Sequence, residues 1–138
     1  MTELPAWRLV THKSPRWEHA EVRRMDRRIA ETEWHTCLFG WRPNPDWEAW
    51  LCGEPAIAVM ILAKGGYVTG TAWRRERGWV EPPWRRQGIL TAGDKLAIAR
   101  YKSISVHNAE GNVNNAWLSA RGWKRAGGPF WTSPPDER

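Results

Sequence analysis

Trp79-Val80-Glu81-Pro82-Pro83-Trp84-Arg85-Arg86-Gln87-Gly88-Ile89-Leu90 reads as a strand that stops at a proline pair, then a basic turn, then the mouth of a helix. Proline has no N–H to give a ladder and a fixed φ, so the pair marks the end of the strand. Gly88 lets a ligand approach the backbone closely. The first turn of the helix it opens offers N–H groups without intrahelical partners and the positive end of the helix dipole. Arg85 and Arg86 add charge directed at an anion. Taken bare, the same residues also describe a glycine-containing helix entry with exposed arginines.

Downstream, the helix is expected to reach about Tyr101, with Ile89, Ala92, Leu96 and Ala99 spaced as one apolar face. Lys102 to His107 reads as the next strand and Asn115 to Arg121 as a short helix. Gly122, before Trp123, suits a helix C′ position that needs φ > 0. Upstream, Trp7 to His12 is a short strand, and Ser14-Pro15 opens a helix to about Trp34, with Ser14 as N-cap and Pro15 in the first turn. Val22, Met25 and Ile29 share one face of that helix, and Arg23, Arg24, Arg27 and Arg28 cluster towards the other. The arginines read as a solvated face or as a grip for phosphates. Leu38 to Trp50, interrupted by Gly40, Pro43 and Pro45, reads as a loop rich in Trp41, Trp47 and Trp50. Strands are expected at about Ala49–Cys52, Ala56–Ala63 and Tyr67–Trp73, separated by glycine- and proline-bearing turns.

These elements fit one α/β (α+β) domain spanning all 138 residues. No apolar run approaches the roughly 18–20 residues of a membrane span, so no membrane partner is expected. Met1 is followed by no basic-then-apolar leader, and Cys37 and Cys52 are too few for a disulfide framework; both observations point to the cytoplasm. His35, Cys37, Cys52 and His107 lack metal-binding spacing, so no metal is expected. A net charge of +6 favours an anionic ligand or a polyanionic partner, nucleic acid included. Twelve tryptophans serve cores, rims and planar-ligand pockets alike, so only one or two are expected to touch a substrate.

The run Val80-Glu81-Pro82-Pro83-Trp84-Arg85-Arg86-Gln87-Gly88-Ile89 resembles the GNAT superfamily pattern of Val-x-Pro, two residues, then Arg-x-Gln-Gly-Ile, in register without a gap. The segment from Asn112 to Trp123 is similar to that family's closing pattern of an Asn-bearing turn, a helix and Gly-aromatic. The two motifs cover about residues 78–123. The resemblance implies the GNAT fold: a central, mixed but mostly antiparallel twisted sheet flanked by helices, with a splayed strand pair that binds acyl-CoA. It implies acetyl-CoA, or another acyl-CoA, as co-substrate. Carried over by position, pantetheine contacts fall at Trp79, Val80 and Glu81. Pyrophosphate contacts fall at Arg85, Arg86, Gln87, Gly88, Ile89, Leu90 and Thr91, with Asn112 and Asn115 as further cofactor candidates. Leu90 stands where the family usually has Gly or Ala; it is tolerable if its side chain turns into the core.

The implied reaction is direct acyl transfer to an amine, in which positioning supplies much of the rate. The amine needs a base, and the leaving thiolate an acid. At the family's tyrosine position this chain has Leu118, with Ser119 adjacent and Tyr101 in the preceding helix. Glu76, by its parity with Val80, and Glu81, nearer the turn and on the opposite face, are the base candidates; each also reads as a solvated charge. Trp41, Trp47 and Trp50 are expected to wall the acceptor site. The acceptor class stays open, with DNA modification among the readings, as does monomer or homodimer. The alternative is a catalytically silent GNAT-like module that binds nucleic acid or a protein.

Overall fold

A computed structural model describes residues 4–107, 117–127 and 129–135. The elements are β1 (Trp7–Val10), α1 (Arg16–Thr32), β2 (Trp47–Cys52), β3 (Ala58–Lys64), β4 (Trp73–Val80), a 3-10 turn (Pro82–Trp84), α2 (Ile89–Tyr101), β5 (Ile104–His107), β6 (Lys124–Arg125) and β7 (Phe130–Thr132). The strands form one seven-stranded sheet in the order β1-β2-β3-β4-β5-β7-β6. It is mixed and mostly antiparallel: β1 runs antiparallel to β2, and β7 to both β5 and β6. The β4–β5 pair is parallel, with partners from Trp73↔Ile104 to Arg75↔Val106. The chain divides into two compact units, one built from residues up to Ile61 with Arg77–Gly93, the other from Leu62–Glu76 and the residues from Asp94 onward.

In the first unit α1 carries a continuous run without Gly or Pro, and its apolar stripe does what its spacing implies. Val22, Met25 and Ile29 are buried against Val10, Ala49, Leu51, Val59, Ile61 and Trp79. The helix start differs from expectation. Pro15 itself is the N-cap, with no side-chain cap bond, because the Ser14 hydroxyl is taken by the N–H of Thr11 (3.0 Å). The segment after α1 is reeled back by buried Asp26, which accepts the N–H groups of Phe39 and Gly40 at 2.9 Å each.

The tryptophan-rich segment is structured more tightly than a loop. Trp47 and Trp50 lie on β2, and Trp41 is 2% exposed in the core, stacked near His19 and donating its indole N–H to His19 Nδ1 (3.1 Å). Trp47 packs against the same cluster. Burial of about 200 Å² per indole outweighs the local cost of a proline-broken path.

Three further expectations need correction. Tyr67–Trp73 is a turn, not a strand; Gly65, Gly66 and Gly70 bend it, and β4 begins only at Trp73. β3 begins at Ala58 rather than Ala56. The apolar face of α2 is not the Ile89–Ala92–Leu96–Ala99 row. Ala92 and Leu96 are exposed, and the buried residues are Ile89, Gly93, Asp94, Ala97, Ile98 and Tyr101. The helix is apolar on most sides, so spacing alone selected the wrong stripe.

The second unit holds Trp73 against Tyr101 (ring centroids 4.6 Å) and Arg75 paired with buried Asp94, both on the α2 side of the sheet. The Gly122 expectation holds: φ is +84, with Gly122 N–H on Ser119 O and Trp123 N–H on Leu118 O. No helix among the described residues is long and apolar enough to cross a membrane.

Candidate active site

The basic turn is built as a backbone cradle. Arg86 (φ +65) and Gly88 (φ +79) both take left-handed backbone, separated by Gln87. Left-handed residues placed this way aim successive amides to one side, the ingredient of an anion-binding nest. The position of a Cβ on Gly88 meets nothing within 4 Å, so the turn is open above the glycine. Ala92 N–H is the one that reaches back to Gly88 O (3.0 Å), so the amides of Ile89 and Leu90 precede the helical ladder. For Arg86, left-handed backbone costs about 1–2 kcal/mol that glycine would avoid.

What fixes the turn is packing beneath it. Trp7 donates its indole N–H to Ile89 O (3.0 Å), and Ile89 is buried with Cys52, Ala58 and Val80. Leu90 and Trp84 pack against that cluster, so the leucine that replaces a small residue turns inward, leaving its backbone to the turn. Gly93 sits where a Cβ would lie 2.8 Å from two atoms of the Trp7 ring, so only glycine lets α2 lie this close.

Arg85 is not a free phosphate arm. Its Nε donates to Val80 O (2.9 Å), its Nη2 to Glu33 Oε1 (3.1 Å), and its guanidinium lies over the Trp79 ring. Trp79 donates to the same Glu33 oxygen (3.1 Å). The indole N–H, and then Arg85, hold the Glu33 carboxyl below the ordinary range. Arg86 and Gln87 are exposed, and Thr91 is half-buried in the first turn of α2. Sequence reasoning missed Glu33, since nothing local ties it to residues 79 and 85.

Of the base candidates, Glu81 is clamped by Arg28 through two bonds of 3.0 and 2.7 Å. That bond lowers the carboxyl pKa, which makes Glu81 a weaker base. Glu76 receives Arg74 Nε on Oε1 (2.5 Å) and the Tyr67 hydroxyl on Oε2 (3.3 Å). On the same strand Trp73 packs on Tyr101 and Arg75 pairs with buried Asp94, both of α2. Ser119 is exposed on the helical turn 117–120, and Leu118 is 3% exposed. Asn112 and Asn115 lie outside the described residues.

Trp41 and Trp47 belong to core packing, and Trp50 is 8% exposed, so the expected aromatic wall is largely interior. Among the described residues Trp34, at 89%, and Trp17, at 56%, are the exposed tryptophans. On α1, Arg24 is committed to Glu21 and Ala56 O, and Arg28 to Glu81. Among the described residues no group of three His, Cys, Asp or Glu side chains is placed to hold a metal.

No family model and no curated protein matches the chain. Solved structures do. An acetyltransferase of the GNAT family from Staphylococcus aureus superposes with a TM-score of 0.62 over 93% of this chain and 98% of its own, at 11% identity. Escherichia coli ElaA gives 0.69 over 94% and 99%, at 11% identity. A GNAT family acetyltransferase from Elizabethkingia anophelis, solved with acetyl-CoA bound, gives 0.55 over 88% and 77%, at 12% identity. With the sheet order, the parallel β4–β5 pair and the turn before α2, these likenesses establish that the chain has the GNAT fold.

Proposed function

We propose that this chain is an acyl-CoA-dependent N-acyltransferase that moves an acetyl group from acetyl-CoA to an amine. The observation that carries the reading is the turn at 85–91: left-handed backbone at Arg86 and Gly88, open space over Gly88, and a helix start beyond it. The residues present fit a pyrophosphate. Backbone amides of Gly88, Ile89 and Leu90 supply donors that need no deprotonation, the dipole of α2 favours the anion, and Arg86 supplies exposed charge. Trp79, Val80 and Glu81 supply the strand along which a pantetheine arm would run. The acetyl-CoA bound by the Elizabethkingia protein supports the choice of ligand.

Burial of Leu118 favours a second reading, a GNAT-fold module that binds the coenzyme without turning it over. A nucleic-acid acceptor gains less support than the net charge suggests, because Arg24 and Arg28 are already ion-paired. The test is thiol release from acetyl-CoA in the presence of a panel of primary alkyl and aryl amines, beside coenzyme A calorimetry. Amine-dependent release supports transfer; binding without release, with or without amine, supports the silent module.

A further inference from the structure

We propose that the outer face of α1 is a docking track for single-stranded nucleic acid, with Arg16, Arg23 and Arg27 on backbone phosphates and Trp34 stacking on a base. The track lies wholly within the first unit and does not depend on acyl transfer.

The arginines of α1 fall into two sets. Arg24 is committed to Glu21 (2.6 Å) and Ala56 O (2.8 Å), and Arg28 to Glu81 (2.7 Å). The guanidinium groups of Arg16, Arg23 and Arg27 have no ion pair or hydrogen bond among the described residues. At 3.6 residues per turn these three lie within about 40° of one another, on the side of the helix away from buried Val22, Met25 and Ile29. The row is about 16 Å long, and Arg23 and Arg27 are about 6 Å apart along it. Arg16 and Arg27 are exposed and Arg23 is half-buried. Glu31 is the carboxylate nearest in direction, and it pairs with none of the three.

The row works against the helix that carries it. Arg16 stands in the first turn, at the positive end of the helix dipole, where a carboxylate is the stabilising choice. Arg23 and Arg27 are like charges at i, i+4, which repel. A face shaped for solvation alone would mix signs. A polyanion relieves both conflicts, and the dipole adds to its attraction. The neighbouring chain extends the same charge. Phe39 and Gly40 are tied to Asp26 and Trp41 to His19, nearer the helix start, so this segment runs back along α1. It delivers exposed Arg42, whose guanidinium is also unpaired among the described residues, to that end.

Trp34 makes the occupant a single strand. It follows the C-cap residue Glu33 and is 89% exposed. Its ring neighbour is His35 at 5.7 Å and 84°, a T-shaped contact that leaves at least one indole face free to stack. Glu33 is held by Trp79 and Arg85, so the indole projects from an anchored residue. An open aromatic face beside a row of unpaired cations suits unpaired bases, whereas a duplex hides its base faces. A lipid surface would need apolar side chains along the row, and between Arg16 and Arg27 that arc carries only Ala20.

The test is fluorescence anisotropy of a labelled oligothymidine across a salt series. It compares the wild-type chain, Arg16→Gln, Arg23→Gln and Arg27→Gln combined, and Trp34→Ala. Wild-type affinity is expected to fall with salt. The triple variant is expected to lose about 2 from the log–log slope, at about 0.7 per phosphate on a single strand. Trp34→Ala is expected to keep the slope and bind about 5- to 150-fold more weakly, the range of one stacked base. Thermal melting of both variants is expected to match wild type, which separates lost binding from lost fold. Absence of wild-type binding overturns the proposal, as does a folded triple variant with the wild-type slope. Duplex DNA bound as tightly as the single strand, with no effect of Trp34→Ala, overturns it too. Binding through the same arginines to phosphatidylserine vesicles, and not to oligothymidine, overturns it in favour of a membrane contact. Failure of the wild type to bind coenzyme A overturns the acyl-transfer reading and leaves this one standing.

Discussion

Substituting Gly93 by Ala probes how the phosphate turn is held. Alanine in a helix interior gains about 1 kcal/mol over glycine. Against that, the added methyl would stand 2.8 Å from Cε2 and Cζ2 of Trp7 and 3.1 Å from Met60 Cε. The methionine tip yields cheaply. The indole does not, because its N–H is bonded to Ile89 O and its strand is paired residue by residue with β2. Relief therefore requires α2 or the ring to shift by several tenths of an ångström, an overpacking cost of about 1–3 kcal/mol. The net expectation is a loss of about 0–2 kcal/mol in urea unfolding. The shift moves the first turn of α2, so coenzyme A affinity should fall about 3- to 10-fold in the still-folded protein. A Gly93→Ala protein that is more stable by the full propensity gain and binds coenzyme A as before would refute the claim that this contact sets the turn.

The remaining expectations follow from named contacts. Arg86→Gly removes left-handed strain of about 1–2 kcal/mol against an added chain entropy of about 0.5–1 kcal/mol, so stability should hold or rise slightly in urea unfolding. Calorimetry should show the same variant binding coenzyme A more weakly, through loss of an exposed charge. Glu33→Gln frees Arg85 and removes an anion beside the turn. Coenzyme A should then bind about 1.5- to 5-fold tighter, the range of one exposed ion pair of about 0.2–1 kcal/mol. Leu118→Tyr places a larger side chain with a hydroxyl in a buried site, so a loss of about 1–3 kcal/mol in urea unfolding is expected. The carboxyls of Glu21, Glu33 and Glu81 are held below the ordinary range, chiefly by Arg24, the Trp79 N–H and Arg28 respectively. Their stabilisation is complete above about pH 4.3 and lost as pH falls through the lowered values, so melting temperature should drop on acidification in that window.

Local signals were the ones legible in the sequence. The strand ending at Pro82-Pro83, the helix opening after Gly88 and the φ > 0 at Gly122 all depend on one or two residues with narrow backbone preferences. The stripe of α1 was legible because its polar face is charged and its apolar face is not. The stripe of α2 was illegible because alanines on several sides leave spacing without contrast. The site's connecting residues were hidden for another reason. Glu33 reaches Arg85 and Arg28 reaches Glu81 across 52 and 53 positions, and no local pattern encodes such pairs. Trp41 misled because an indole in a proline-bearing segment looks like a surface aromatic until His19 is found beneath it.

The central claim is that the turn at 85–91 binds the pyrophosphate of coenzyme A, and calorimetric titration of coenzyme A into wild type and Gly88→Asp tests it most directly. The account expects saturable one-site binding to the wild type that weakens with salt. It expects loss of that binding in a folded Gly88→Asp protein, whose carboxylate would oppose the phosphates in the space now open above the glycine. No heat of binding to the wild type, or equal binding by the variant, would contradict it.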